Sequence, residues 1–421
     1  MSVRRTAALT ALALVLGTRP AFAQTPTPFA FTGLSLDLAE RDAVAHSPDV
    51  SAADAVVREN DAALAAVRSA LGPQLVGGYV TSPQAGASPN TTILSQIASV
   101  GVQTTIGDIA AYSPLVAAAL ANLRNAQSGL ASAQRGERLK VVNLYYDALK
   151  ARAIRGARES ALSIANEQLH AAQIRFAAGD APKLDVVRAN VAVAKTTADA
   201  ELARVADLNA TEALRVETGV ADTAFTSTAA AAPPEAPALD PQAAVTRAQL
   251  LRPELIAARR TTEAAQASAR AARRAQLPAL TVGAGYAAGT DSGQHVAAPT
   301  VNVTLNLPLS GAARARVDEA DAVVAEDQAK ADATARAIDL EVSAAARNLA
   351  AAQRATAATT EARRQAEAEL SATQLGYRNG ASSSLELSTA RDVYAQAVVD
   401  ELSAFYDEAR ARATLSLEVG G

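Results

Sequence analysis

The chain has three histidines and no cysteine among its 421 residues, so chemistry that needs a thiolate, a Cys/His metal site or a disulfide has little to work with. His46, His170 and His295 stand in separate segments with no ligand spacing among them. The glycine run GAGYAAG, Gly283–Gly289, lacks the spacing of a dinucleotide fingerprint and better suits a strand whose backbone is closely approached. Carboxylates are plentiful, but they alternate with arginines, as in ARRQAEAE from Ala362, a pattern of solvated helix faces with local ion pairs. No nucleophile, metal, cofactor or phosphate site follows, and the chain is expected not to be an enzyme. Two acids are singled out by position instead. Asp185 and Glu386 each lie six residues beyond a glycine, Gly179 or Gly380, that interrupts a long helix-forming stretch.

Composition narrows the setting in which those acids act. Arg4 and Arg5, the apolar run from Ala7 to Gly17 and then Ala21-Phe22-Ala23 have the order of a cleavable signal peptide, assigned to residues 1–23. That run is far shorter than the roughly 20 residues of a membrane-spanning helix, and export into a prokaryotic envelope is the expectation. No later stretch is long and apolar enough to span, so any crossing of a bilayer must use strands. Without cysteine, no lipid can be carried on an N-terminal thiol. A net charge of −4 gives no polybasic footprint, which argues against nucleic acid. Aromatic residues are 3% of the chain and tryptophan is absent, which favours long helices packed through alanine over a compact enzyme core.

The periodicities place the acids. A helix is expected over Ser35–Leu71, a strand over Leu75–Thr81, a loop to Asn90 and a second strand from Val100. A long helix then runs from about residue 113 to Ala178, and another from Lys183 to Thr218. Residues 24–220 thus form a first repeat, and the Ala/Pro-rich stretch 221–240 reads as a linker. Residues 241–421 repeat the order: helix Pro241–Gln276, strand Leu280–Gly289, strand from Thr300, helix 312–378, a stop at Gly380 and a last helix to Val419. Landmarks coincide between the halves. Phe176, Gly179, Leu184 and Asp185 fall on Tyr377, Gly380, Leu385 and Glu386, and Pro48 and Pro73 fall on Pro253 and Pro278. The two long helices, about 65 residues each, would reach near 100 Å, and the other four, about 36 residues each, would pair along them end to end. The glycine stops then lie at the end far from the strands.

Val301, Val303, Leu305 and Leu307 alternate with Asn302, Thr304 and Asn306, giving one apolar and one neutral polar face. A lipid-facing strand of a barrel requires this pattern, and a half-buried strand of a soluble sheet shares it. Four strands cannot close a membrane barrel, which needs at least about eight, so a spanning protein must oligomerise.

Duplicated halves of helix, strand pair, long helix, glycine stop and helix resemble the TolC family of outer-membrane efflux proteins. The resemblance runs from about Leu36 to Gly420 and is carried best by Phe176-x-x-Gly179 to Asp185 and Tyr377-x-x-Gly380 to Glu386. It implies a mainly α fold with a small transmembrane β part. Long antiparallel hairpins would form a periplasmic α-barrel, and four strands per protomer would enter a trimeric, twelve-stranded outer-membrane β-barrel. The implied role is a passive exit duct of a tripartite efflux or type I secretion system, working with a periplasmic adaptor and an inner-membrane pump in outer-membrane lipid. Carried over by position, Asp185 and Tyr377 tie neighbouring hairpins in the closed state, and Glu386 lines the aperture. Ser382 and Thr389 stand where the family has an arginine and a second acid. Ala178, Gly179, Asp180, Asn379, Gly380 and Ala381 become adaptor contacts. The residues alone leave two other readings open: Asp185 and Glu386 could serve only the first turns of their helices, and the chain could be a non-conducting coiled-coil scaffold.

Overall fold

A computed structural model describes residues 29–31, 34–70, 73–85, 92–220, 227–229, 241–291, 294–307 and 311–420. The signal peptide assigned to residues 1–23 and most of the linker lie outside them. The elements in order are β1 (Phe29–Phe31), α1 (Leu36–His46), α2 (Pro48–Ala70), β2 (Gln74–Ala85), β3 (Thr92–Thr105), α3 (Ile106–Ala178) and α4 (Lys183–Thr218). There follow β4 (Ser227–Ala229), α5 (Pro241–Leu251), α6 (Pro253–Arg274), β5 (Ala279–Asp291), β6 (Gln294–Asn306), α7 (Ala312–Arg378) and α8 (Ser384–Glu418).

The expected helices over Ser35–Leu71 and Pro241–Gln276 are each broken in two. Ser47 sits at φ −65°, ψ 125° before Pro48, and Arg252 at φ −69°, ψ 124° before Pro253. A proline ring clashes with a helical residue before it, which pushes that residue into extended backbone. Only α4 and α8, at 36 and 35 residues, therefore match the expected length of the shorter helices. The long helices hold 73 and 67 residues, about 100–110 Å, with Pro114 inside α3. The stretch expected to be unpatterned linker contributes β4, which pairs antiparallel with β1 through Phe29↔Ala229.

The strands extend further toward their hairpin loops than expected, while β6 already stops at Asn306. They form one antiparallel sheet in the order β2-β3-β5-β6, so the two hairpins join through β3 and β5. Gly101 lies opposite Gly285 there, and a Cβ on either would strike the facing backbone at under 3 Å. The close approach anticipated for the glycine run is thus placed at this seam.

Helices α2 and α4 pack along α3, and α6 and α8 along α7, while α6 and α8 also pack on α3 and join the repeats. Alanine is the commonest buried side chain between them. Bulk is concentrated midway along the long helices. There Leu34, Val141, Val142, Leu214, Leu402 and Tyr406 form one cluster, and Leu255, Ile338, Val342 and Leu415 anchor a second. Two edge-to-face pairs, Tyr145–Tyr146 at 5.6 Å and Phe405–Tyr406 at 5.2 Å, give the first cluster much of its aromatic content. A third, smaller cluster nearer the turns joins Leu370 and Leu387 with Tyr377 and Tyr394 against it, and alanines at close approach fill much of the rest, which suits long helical hairpins better than a globule.

Candidate functional site

Two regions carry features beyond packing, the sheet at one end and the turns at the other. Register aligns Val301, Val303 and Leu305 of β6 with Ala284, Val282 and Leu280 of β5. Ala284 and Tyr286 align in turn with Val102 and Val100 of β3, and these with Leu75 and Gly77 of β2. Because paired residues point to the same side, one face of all four strands is apolar. Leu75, Tyr79, Val100, Val301, Val303 and Leu305 are all more than half exposed. The opposite face carries Gln103, Asn302, Thr304 and the seam glycines. Leu307, expected to continue the lipid-facing strand, lies just past the end of β6 and is also exposed. Among the described residues no helix is long and apolar enough to cross a membrane.

At the other end the two turns share one backbone design. Gly179 N–H donates to Phe176 O at 3.0 Å and Asp180 N–H to Arg175 O at 2.9 Å. Gly380 N–H likewise donates to Tyr377 O at 3.2 Å, and Ala381 N–H to Gly376 O at 2.7 Å. These are paired helix-ending bonds of the Schellman kind, with Gly179 at φ +83° and Gly380 at φ +72°. A Cβ at either glycine would meet nothing within 4 Å, so left-handed backbone and not space calls for glycine. Ala178, Asp180, Asn379 and Ala381 are exposed beside them.

The outgoing helices start differently. Pro182 precedes α4 without a side-chain cap. Ser383 caps α8 in a reciprocal box: its Oγ accepts from Glu386 N–H at 3.2 Å, and Glu386 Oε2 accepts from Ser383 N–H at 2.7 Å. Glu386, expected at an aperture, thus has one carboxylate oxygen engaged in starting its own helix, and Thr389 Oγ1 donates to Leu385 O at 3.0 Å.

Asp185 and Tyr377 both bridge the hairpins, through different partners. Ser384 Oγ of α8 donates to Asp185 Oδ1 at 2.7 Å, and Arg188 Nη1 donates to the same hydroxyl at 2.9 Å. Arg175 Nη1 of α3 donates to Tyr377 Oη at 3.1 Å, with its guanidinium carbon 5.5 Å from the ring centre. Burial lowers the nearby Arg391 to about 10, with Tyr377 opposing the shift and Arg175 adding to it. Further along, Lys195 Nζ meets Asp392 at 2.7 Å beside a cleft of about 230 Å³ that Arg158, Asp199 and Gln396 also line. Sequence reading missed Arg175, Arg188, Ser384 and Arg391. Spacing could not reveal the first three, because their bonded partners lie about 200 residues away in the chain. Ser382, where an arginine was expected, packs against Gly376. Among the described residues no cluster of three or more His, Asp or Glu is placed to hold a metal.

The model of a family described as outer membrane efflux protein matches residues 40–220 and 244–421, nearly all of both repeats. The chain belongs to this family. Its fold and family are those of channels, not of enzymes. One relative, the outer membrane efflux protein BepC of Brucella suis biovar 1 (strain 1330), is 29% identical over 269 residues. The match covers 60% of this chain, which spans a little over half, 56%, of that relative's length. Three solved structures share the fold at low identity. A membrane protein from Pseudomonas aeruginosa has a TM-score of 0.80 at 18% identity, covering 96% of this chain and 98% of that one. The CmeC outer membrane channel of Campylobacter jejuni scores 0.76 at 16%, with 91% and 85% covered. The MtrE outer membrane channel of Neisseria gonorrhoeae, described in its open state, scores 0.77 at 19%, with 94% and 91% covered. The mainly helical architecture with four antiparallel strands is thus that of outer-membrane efflux channels.

Proposed function

We propose that this efflux-family chain is the exit duct of a tripartite efflux or type I secretion system, acting as a homotrimer in the outer membrane. The single observation that carries the reading is the sheet: one apolar face across four strands, with β2 and β6 as its open edges. In hydrocarbon an unpaired edge leaves donors and acceptors without partners, so β2 of one copy must pair with β6 of the next until the barrel closes. Three copies give twelve strands and bring six hairpins together below the barrel. Val301, Val303, Leu305 and Leu307 then face lipid, and the neutral polar face lines the passage.

At the far end the bonds Asp185–Ser384 and Arg175–Tyr377 hold the two hairpins of each protomer together at rest. Their release lets the hairpins part. A three-fold ring of Glu386 narrows and charges the aperture and favours cations, with the carboxylate oxygen not used by Ser383 turned to the passage. The exposed turns at 178–180 and 379–381, flanked by exposed Phe176, Leu184, Leu375 and Leu385, fit a periplasmic adaptor that connects the duct to its pump.

Reconstitution of the mature protein in a planar bilayer tests this. The expected result is a heat-resistant trimer with low resting conductance. The Asp185→Ala/Tyr377→Phe double variant is expected to raise conductance several-fold, and Glu386→Gln to weaken cation selectivity. A monomer that leaves the bilayer silent would overturn the duct and favour a non-conducting scaffold.

A further inference from the structure

Both repeats break their first helix before a proline, but they fill the break with different side chains. In the second repeat Arg252 is buried, its side chain 4% exposed, with Nη1 2.6 Å from Glu341 Oε2 and 3.2 Å from Glu418 Oε2. Arg135 reaches the same place from α3, 2.7 Å from both Glu254 and Glu418. Each of the three carboxylates there meets a guanidinium. In the first repeat the corresponding residue is Ser47. Its hydroxyl donates to Glu137 Oε2 at 3.0 Å and accepts from Val50 N–H at 3.4 Å. Glu137 is 5% exposed, and its other oxygen, Oε1, is buried without a donor. One turn along α3 from Glu137, Lys140 Nζ donates at 2.5 Å to Oε1 of Glu217 at the end of α4, which brings a second carboxyl to the same place.

Two ionised carboxylates cannot bond to each other, since neither has a donor, and confinement adds repulsion to the cost of burial. One proton removes both difficulties. It gives Glu137 a hydrogen to donate to Glu217, and Lys140 neutralises the charge that remains. We infer that Glu137 and Glu217 share one proton, and that this pair is a proton-binding site standing where the second repeat carries the permanent cation Arg252.

The surrounding charges leave the proton to the pair. Lys140 lies on α3 itself, and Asp49 at the start of α2 adds negative charge. Arg138 acts on Glu40 of α1, and Arg135 is engaged with α6 and α8. His46 at the end of α1 lies beside Gly219, with Nδ1 2.7 Å from the Asp42 carbonyl oxygen. Burial, then the bond to Glu217, push Glu137 above the usual carboxylate range. Glu217 is pushed up by burial but held below its usual value by the bond from Glu137 and by Lys140. The signs follow from linkage. Stability from Glu137 is fully present below the unfolded carboxyl value and is lost as pH rises through its raised folded value. Stability from Glu217 is present above the unfolded value and is lost as pH falls through its lowered one. Raising the pH therefore strips the shared proton and sets two charges against each other where α1, α2, α3 and α4 meet.

Glu137→Gln reproduces the loaded pair, because the amide donates to Glu217 and accepts from Ser47. In thermal unfolding of the purified mature protein in detergent, the variant is expected to match the wild type near pH 5. Near pH 8.5 it is expected to melt higher by about 3 °C, flattening the alkaline fall. An offset that is the same at every pH, or a lower melting temperature at alkaline pH, would overturn the shared proton. A second readout does not need the variant to fold. Infrared spectra of the wild type are expected to contain a protonated-carboxyl band that persists above the usual carboxylate range and disappears as the pH is raised further, and its loss within that usual range would also overturn the inference. The site is independent of conduction, so a silent bilayer leaves this test unaffected.

Discussion

The two ends of the hairpins and the two helix breaks midway along the molecule were built from one duplicated plan, and they have diverged to different degrees. At the tips the backbone is the same in both repeats: a positive-φ glycine and the same pair of hydrogen bonds, with only the start of the outgoing helix changed from Pro182 to the Ser383–Glu386 box. At the midpoint the backbone break is also the same, but the electrostatics differ, with an arginine between carboxylates in one repeat and a serine beside a carboxyl pair in the other. Backbone geometry is set by local sterics that any copy must obey. Charge balance depends on partners from four helices and can be reached in more than one way.

Removing the permanent cation should separate the midpoints most. Arg252→Met leaves Glu341 without its buried partner and Glu418 and Glu254 with Arg135 alone, so a loss of about 3 kcal/mol is expected. Chemical denaturation of the detergent-solubilised protein measures it. Ser47→Ala, the corresponding change in the first repeat, should cost about 1 kcal/mol. Equal losses would mean that the two breaks are electrostatically alike after all. The tips should respond to glycine replacement in the opposite manner, by agreeing with each other. Gly179→Ala and Gly380→Ala should each cost about 1–2 kcal/mol, because both force a side chain into left-handed backbone while meeting no steric obstacle. A clear difference between them would indicate that one turn changes conformation in the assembly. The smallest effect separates the tips: Ser383→Ala should cost about 1 kcal/mol through loss of the cap, whereas Pro182→Ala removes no side-chain bond and should cost less. Hydrogen exchange in the first turns of α4 and α8 reports both.

Much of the fold was legible in the chain. The helix stops at Gly179 and Gly380, the alternation of Val301 to Leu307 and the repeated order of elements follow from conformational preferences that act within a few residues. The breaks at Pro48 and Pro253 interrupt two helices expected to be continuous, although the cause is equally local: a proline pushes Ser47 and Arg252 into extended backbone. The strand ends were less legible, because Gln, Ser and Ala near the loops have weak preferences and become strand only when a neighbouring strand offers hydrogen bonds. At the candidate site, Asp185 and Tyr377 could be picked out from motif position. Their partners Ser384 and Arg175 could not, nor could the engagement of Glu386 in its own cap be told from a place at the aperture.

The sequence by itself determined where helices run and stop, that the plan is duplicated, and that the strand around Val301–Leu307 has one apolar face, because glycine, proline and side-chain periodicity act locally. Only the tertiary structure decided which face the four strands share, which residues link the hairpins, and which carboxylates receive a guanidinium and which a proton. Those outcomes depend on distances between groups about 80 to 280 residues apart, and such distances exist only once α3 and α7 have packed their partners into place.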